Sequence, residues 1–143
     1  MVLFNSDYTE GAHPKIMELM MSSNMEQTGG YGMDAYCDKA RALIRQQCGR
    51  EDIDVQFLVG GTQTNLTVIA ATLRPHQGVI SADTGHINVH ETGAVETTGH
   101  KVIALPSADG KLTAQQVLDC YHEHWNDATH EHIVQPGMVY ISN

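Results

Sequence analysis

The sequence predicts an α/β protein with a mostly parallel sheet, and three observations carry that prediction. From Asp54 onward, short apolar runs of strand length alternate with segments of helical periodicity. The junctions hold the residues that begin and end helices, with Gly60-Gly61-Thr62 and Thr113 before helical segments. At 143 residues, with 41% hydrophobic and 17% charged residues, the chain has the length and composition of one globular domain. Strands alternating with helices favour layered architecture with parallel strands, whose ligands gather at the carboxyl ends of the strands.

The elements follow in order. "HPKIMELMMSSNM" places Ile16, Leu19, Met20 and Met17 towards one side of a helix, with Pro14 in its first turn, and this stripe reads as core packing. "DAYCDKARALIRQQCG" reads as a second helix, capped by Asp34 and closed at Gly49. "DVQFLV" reads as a strand, followed by a helix that starts at Thr62 and runs to Leu73. "GVISA" is a short buried strand and "HKVIALP" a further one. "TAQQVLDCYHEHW" is a helix with Thr113 as its N-cap, and "GMVYIS" is a last strand. No repeat, low-complexity tract or Pro/Ser-rich linker marks an internal boundary.

The glycine-threonine junction has chemical meaning. A strand ending in Gly60-Gly61 and feeding a helix at Thr62 leaves several backbone amides without intrahelical acceptors, at the positive end of the helix dipole. Glycines there let an anion approach the main chain, the Thr62 hydroxyl can donate or cap, and Asn65 lies one turn further on. An ordinary N-cap would use the same residues. "GGTQTN" supplies neither the lysine of a Walker A loop nor the G-x-G-x-x-G of a dinucleotide fold. A phosphate on another ligand remains open.

The segment "DTGHINVHETGAVETTGH" places His86, Glu91 and Gly93 after a predicted strand, facing the same crevice as Gly61 and Thr62. The flat imidazole of His86 can stack on a planar heteroaromatic ring, or serve as a cap. A metal reading would use His86, His90, Asp83 and Glu91, but the H-E-x-x-H spacing is absent. His122 with His124, and His130 with His132, are two apart, which on a helix sends the rings to nearly opposite sides, and these four read as surface residues.

Bulk properties exclude several function classes. Eight Lys and Arg against seventeen Asp and Glu give a formal charge of -9, which opposes nucleic acid and anionic membranes as partners. No apolar run is long enough to span a bilayer, and the start lacks the order of a secretion signal, so a cytoplasmic protein is expected. The three cysteines, Cys37, Cys48 and Cys120, fit neither a zinc pattern nor a disulfide framework and are expected to be reduced and mostly packed.

Taken in order, several segments resemble the threonine aldolase and aromatic amino acid β-eliminating lyase family, which depends on pyridoxal 5'-phosphate. "NSDYTEGAHPKIMELM" looks like the family's amino-terminal Ser-Asp segment and "GGYGMD" like its Tyr-Gly-x-Asp stretch. "GGTQTN" looks like its Gly-Thr-x-x-Asn phosphate loop, and "GHINVHETGA" like its His-x4-Glu-x-Gly motif. The resemblance implies a three-layer α/β/α fold, with residues 1–143 as the amino-terminal part of the cofactor-binding large domain. It implies that Gly61 and Thr62 hold the cofactor phosphate with Asn65 close by, and that His86 stacks on the pyridine ring. Ser6 would lie near the substrate carboxylate and Tyr31 in the loop lining the active site, while His132 aligns with another active-site histidine. His86 and His132 are the candidate bases for the β-hydroxyl proton. The substrate would be a β-hydroxy or aromatic L-amino acid, and the assembly a homo-oligomer.

The same resemblance identifies what is missing. None of Lys15, Lys39, Lys101 and Lys111 matches the family's Schiff-base segment, which follows the strand resembling "GMVYISN" together with the small domain. An incomplete chain is therefore expected, with an unpaired sheet edge and exposed apolar surface. Two other readings stand beside the lyase: a catalytically inert module binding phosphate or the cofactor, and a metal-dependent hydrolase.

Overall fold

A computed structural model describes residues 9–142, and the chain divides into two units, Met1–Phe57 and Leu58–Asn143. In the first unit, α1 spans Pro14–Ser23 and α2 spans Ala35–Cys48. The Asp34 carboxylate accepts from the Cys37 amide at 3.0 Å, and Gly49 takes a left-handed conformation whose amide closes α2 on Arg45 and Gln46. These two signals in the sequence set both ends of the helix.

The second unit carries α3 (Gly61–Thr72), β1 (Gln77–Ala82), α4 (His86–Val89), β2 (Val102–Leu105), α5 (Ala114–Asn126) and β3 (Gln135–Val139). The sheet is parallel throughout, in the order β2-β1-β3. The central strand is shielded on both faces, and Val79, Ile80, Ser81 and Ala82 are all buried. Around it Ile69, Leu73, Ile87, Val95 and Val102 form the core, with Met138 and Tyr140 packed against it. The expected α/β architecture with parallel strands is present. No helix among the described residues is long and apolar enough to cross a membrane.

Three local expectations are corrected. "DVQFLV" forms no strand: residues 54–59 have no ladder partner, and Phe57, Leu58 and Val59 are exposed. Apolar character alone does not make a strand when no neighbour takes its backbone hydrogen bonds. The stripe of α1 is not core, because Ile16, Met17, Leu19 and Met20 are each about half exposed or more (47–58%) and no described residue of α1 is buried. His124 is buried rather than at the surface, since Val117, Cys120 and His124 follow helical spacing along the inner side of α5. His122 and His132 are exposed, as expected, and His130 is half-buried. The three cysteines are unpaired, with Cys37 and Cys120 half-buried and Cys48 exposed.

One glycine and one cap fix local geometry in the second unit. The β1–β3 pairing shifts between Gly78 and Val79, and a Cβ on Gly78 would stand 2.7 Å from the Lys101 carbonyl oxygen and 2.9 Å from Val134 Cγ2. The Lys101 carbonyl accepts from the Val79 amide at 3.0 Å, so it is not free to move. At α5, Thr113 and Gln116 form a reciprocal capping box.

Gly78→Ala is expected to lower the stability of this unit by about 1–3 kcal/mol in chemical denaturation, because backbone must shift to admit the methyl group. Thr113→Ala should cost about 1 kcal/mol in the same measurement. Hydrogen bonds from the Cys37 amide and thiol hold Asp34 below its ordinary value of 3.8. Its capping contribution is thus complete above that value and is lost as pH falls through the lower folded one. Far-UV dichroism should show α2 fraying in that acid window, and Asp34→Asn, which caps without titrating there, should remove this pH dependence.

Candidate functional site

The first turn of α3 presents backbone rather than side chains. Gly60 is extended (φ -162°, ψ 166°), and its carbonyl accepts from the Thr64 amide at 2.9 Å, which starts the helix. No side chain caps that end. Among the described residues, the amides of Gly61, Thr62 and Gln63 have no acceptor, as expected for a helix start. A Cβ built on Gly60 or Gly61 meets no atom within 4 Å, so open space lies in front of the turn. The Gln63 side chain reaches back to accept from the Val59 amide at 3.0 Å, fixing the approach of the chain. Thr62 is exposed and contributes its amide to this turn.

Beside it, the chain leaves the carboxyl end of β1, turns at Asp83-Thr84-Gly85 and forms the single turn of α4. Ile87 is buried and anchors α4 to the core, which leaves His86 at the edge with its side chain half exposed (49%). Glu91 follows with a side chain wholly shielded from solvent (0% exposed). Its Oε1 accepts from His86 Nδ1 at 2.7 Å and from Asn65 Nδ2 at 2.6 Å. Its Oε2 is buried and has no hydrogen-bond partner among the described residues. Thr92 and Gly93 are both left-handed, with φ 54° and 76°, and a β-branched residue in that region is strained. This double turn reverses the chain immediately after Glu91 and directs the carboxylate inward.

Tyr140 completes the wall. Its amide donates to the Ile80 carbonyl at 2.8 Å, continuing the sheet past β3, and its hydroxyl lies 3.5 Å from Asn65 Nδ2. Gly61, Asn65, His86, Glu91, Tyr140, Ile141 and Ser142 together line an open cleft of about 420 Å³ at the carboxyl edge of the sheet.

The structure thus brings Gly61, Asn65 and His86 into one cleft, with Thr62 next to Gly61 on the same turn. It does not bring His132 there. His132 is exposed on the 3-10 turn His130–His132 that precedes β3, at the opposite, amino edge of the parallel sheet. A cavity of about 310 Å³ at that edge is lined by His76, His124, Trp125 and His130 rather than by His132. Tyr31 lies in the first unit, left-handed at φ 59° and fully exposed, followed by Gly32 at φ 73°. Ser6 lies outside the described residues.

Sequence reasoning placed Glu91 in the crevice but missed its tie to Asn65 and His86, and it missed Tyr140 and Ser142 in the lining. The signal for Glu91 was present in the five-residue step from His86, one helical turn and a reversal, which returns a carboxylate to the imidazole. Tyr140 and Ser142 stand where a strand ends at the carboxyl edge, the position at which ligands collect in such sheets. The hydrolase reading is not favoured: one oxygen of each carboxylate serves a hydrogen bond, Asp83 Oδ1 with the Ser107 amide at 3.1 Å and Glu91 Oε1 with Asn65 and His86. Among the described residues no three His, Cys, Asp or Glu side chains are grouped as a metal would require.

Comparison with known proteins gives the family and the fold. The family description that matches the chain is beta-eliminating lyase, over residues 4–143. The low specificity L-threonine aldolase of Pseudomonas aeruginosa is 30% identical over 118 residues, covering 81% of this chain and 34% of that protein. The protein of the same description from a Pseudomonas species is 28% identical over the same shares. The solved structure of Leishmania major threonine aldolase superposes with a TM-score of 0.90 at 50% identity, over 96% of this chain and 39% of that one. The fold is therefore that of the pyridoxal phosphate-dependent transferases, represented in part. The chain spans about a third of the length of the curated relatives it matches. With a family match across nearly all of its residues, the chain belongs to the beta-eliminating lyase family.

Proposed function

We propose that residues 1–143 are the amino-terminal part of the cofactor-binding large domain of a pyridoxal phosphate-dependent lyase, which cleaves a β-hydroxy α-amino acid in the manner of a threonine aldolase. The single observation that carries the reading is the juxtaposition of an uncapped, glycine-fronted helix start with a half-exposed imidazole in one cleft. The two parts match the two ends of this cofactor. The amides of Gly61, Thr62 and Gln63 suit its dianionic phosphate, reinforced by the helix dipole, and the open space before Gly60 and Gly61 admits it. The plane of His86 suits its aromatic ring.

When bound, pyridoxal phosphate supplies an electron sink for the carbanion left at the α-carbon of the amino acid. The residues of this chain orient and enclose. Backbone amides at the α3 start would hold the phosphate, and the Glu91 bond fixes the edge of His86. The free edge of the same imidazole is placed to accept a proton from a substrate hydroxyl in the cleft. Asn65, expected beside the phosphate, serves here by holding Glu91. A cytoplasmic location and a homo-oligomeric assembly belong to the same reading.

One observation favours keeping a second reading, the non-covalent binding module. In the second unit Lys101 stands at the amino end of β2 and Lys111 pairs with Asp109 at 3.2 Å, and neither lines the cleft. Within the second unit, the described residues of the cleft offer the cofactor non-covalent contacts.

Equilibrium dialysis of the chain against pyridoxal phosphate and against pyridoxal tests the proposal. The phosphorylated form is expected to bind at least about tenfold more tightly, a difference of about 1.4 kcal/mol. Gly61→Asp, which adds a carboxylate in front of the same amides, should erase that preference. Equal affinity for the two ligands, or an unchanged preference in the variant, would overturn the phosphate assignment.

A further inference from the structure

The cleft contains one buried carboxylate whose purpose neither the phosphate nor the ring assignment explains. Glu91 is shielded from solvent, and only Oε1 of its two oxygens is used, by donors from two different elements. One donor is Asn65 on α3, one turn beyond the amides of Gly61 and Thr62. The other is His86 on α4. The carboxylate thus ties the anion-facing turn to the ring-facing imidazole through bonds of 2.6 and 2.7 Å.

Hydrogen-bond chemistry gives that tie a consequence. A carboxylate oxygen accepts and does not donate, so the ring nitrogen facing it must carry a proton. The orientation of Asn65 is fixed by the same rule, because its amide oxygen would be repelled at 2.6 Å from a carboxylate oxygen. With Nδ1 committed as a donor, a neutral His86 has its lone pair at Nε2, which has no hydrogen-bond partner among the described residues. A free imidazole in water prefers the other tautomer, with the proton on Nε2. The environment therefore reverses the intrinsic preference of the ring, and which nitrogen is protonated decides whether its open edge accepts or donates.

We propose that Glu91 is a positioning residue which, steadied by Asn65, locks His86 as the Nδ1–H tautomer and so presents Nε2 to the cleft as a proton acceptor. The left-handed turn at Thr92 and Gly93 follows directly on Glu91, whose carboxylate meets the Nδ1 edge of the ring. The Glu91 side chain is wholly shielded from solvent. It acts through His86, and the inference deepens the functional reading above by stating what kind of group that histidine offers.

The test is the tautomer itself, read by long-range proton–nitrogen correlation on the 15N-labelled chain at a pH where imidazoles are neutral. His86 is assigned by the cross-peaks that His86→Gln removes. In the native chain the Nδ1–H form is expected to exceed the other by about tenfold or more. Glu91→Gln, whose amide oxygen still accepts from Nδ1 and Asn65, should keep that form. Glu91→Leu, which fills the space but accepts nothing, should switch His86 to the Nε2–H form. A merely structural role would lower the melting temperature of both variants without separating their tautomers.

Nε2–H in the native chain would overturn the proposal even if Glu91→Leu failed to fold, and so would identical tautomers in the two variants. The measurement uses no ligand, so failure of the pyridoxal phosphate reading leaves this result standing, and the reverse also holds.

Discussion

The site depends on one interaction, the sharing of Glu91 Oε1 between Asn65 and His86. Each partner comes from a separate element, and the sheet alone does not define their separation. α3 is carried by Ile69 and Leu73 in the core, and α4 by Ile87. Those apolar anchors set depth but leave rotation about each helix free to adjust. A buried hydrogen-bonded carboxylate removes that freedom, because an unpaired one in the same place costs far more than a misplaced methyl group.

The electrostatic character of the chain makes the choice of backbone donors intelligible. With a formal charge of -9, the protein surface repels phosphate at long range, and a pocket of surface lysines would be offset by the surrounding carboxylates. Amides at a helix start are different. They carry fixed partial charges, are oriented before a ligand arrives and keep their direction whatever the net charge around them. Glycine at positions 60 and 61 adds access at that point, since no atom lies within 4 Å of where a side chain would begin. Local geometry, not global charge, decides what this edge of the sheet attracts.

Much of the second unit was legible in the sequence because its signals are local. Buried strands announce themselves as short apolar runs, and caps such as Thr113 mark helix starts chemically. Gly61, Asn65 and His86 were legible as candidates because Gly61 and Asn65 lie in the first turns of an uncapped helix start and His86 follows the end of β1, although the strand expected before Gly60 is absent. Long-range relations were not legible. Asn65 and Glu91 are 26 positions apart, and the sequence does not say that an amide chosen for a phosphate loop will instead face a carboxylate. His124 was hidden in the same way. Polarity suggested the surface, whereas its place on the inner side of α5 and its edge-on packing with Trp125 and His130, at ring separations of 5.0 and 5.6 Å, required the fold. The failed strand at "DVQFLV" shows the limit from the other side, because ladder pairing is a property of two segments and only one of them was read.

Thr92 has a mechanical implication. A threonine at φ 54° rests in a conformation that costs of order 1–3 kcal/mol relative to ordinary extended or helical backbone. That cost is local and is offset by the contacts around the turn, among them the two short hydrogen bonds to the adjacent Glu91.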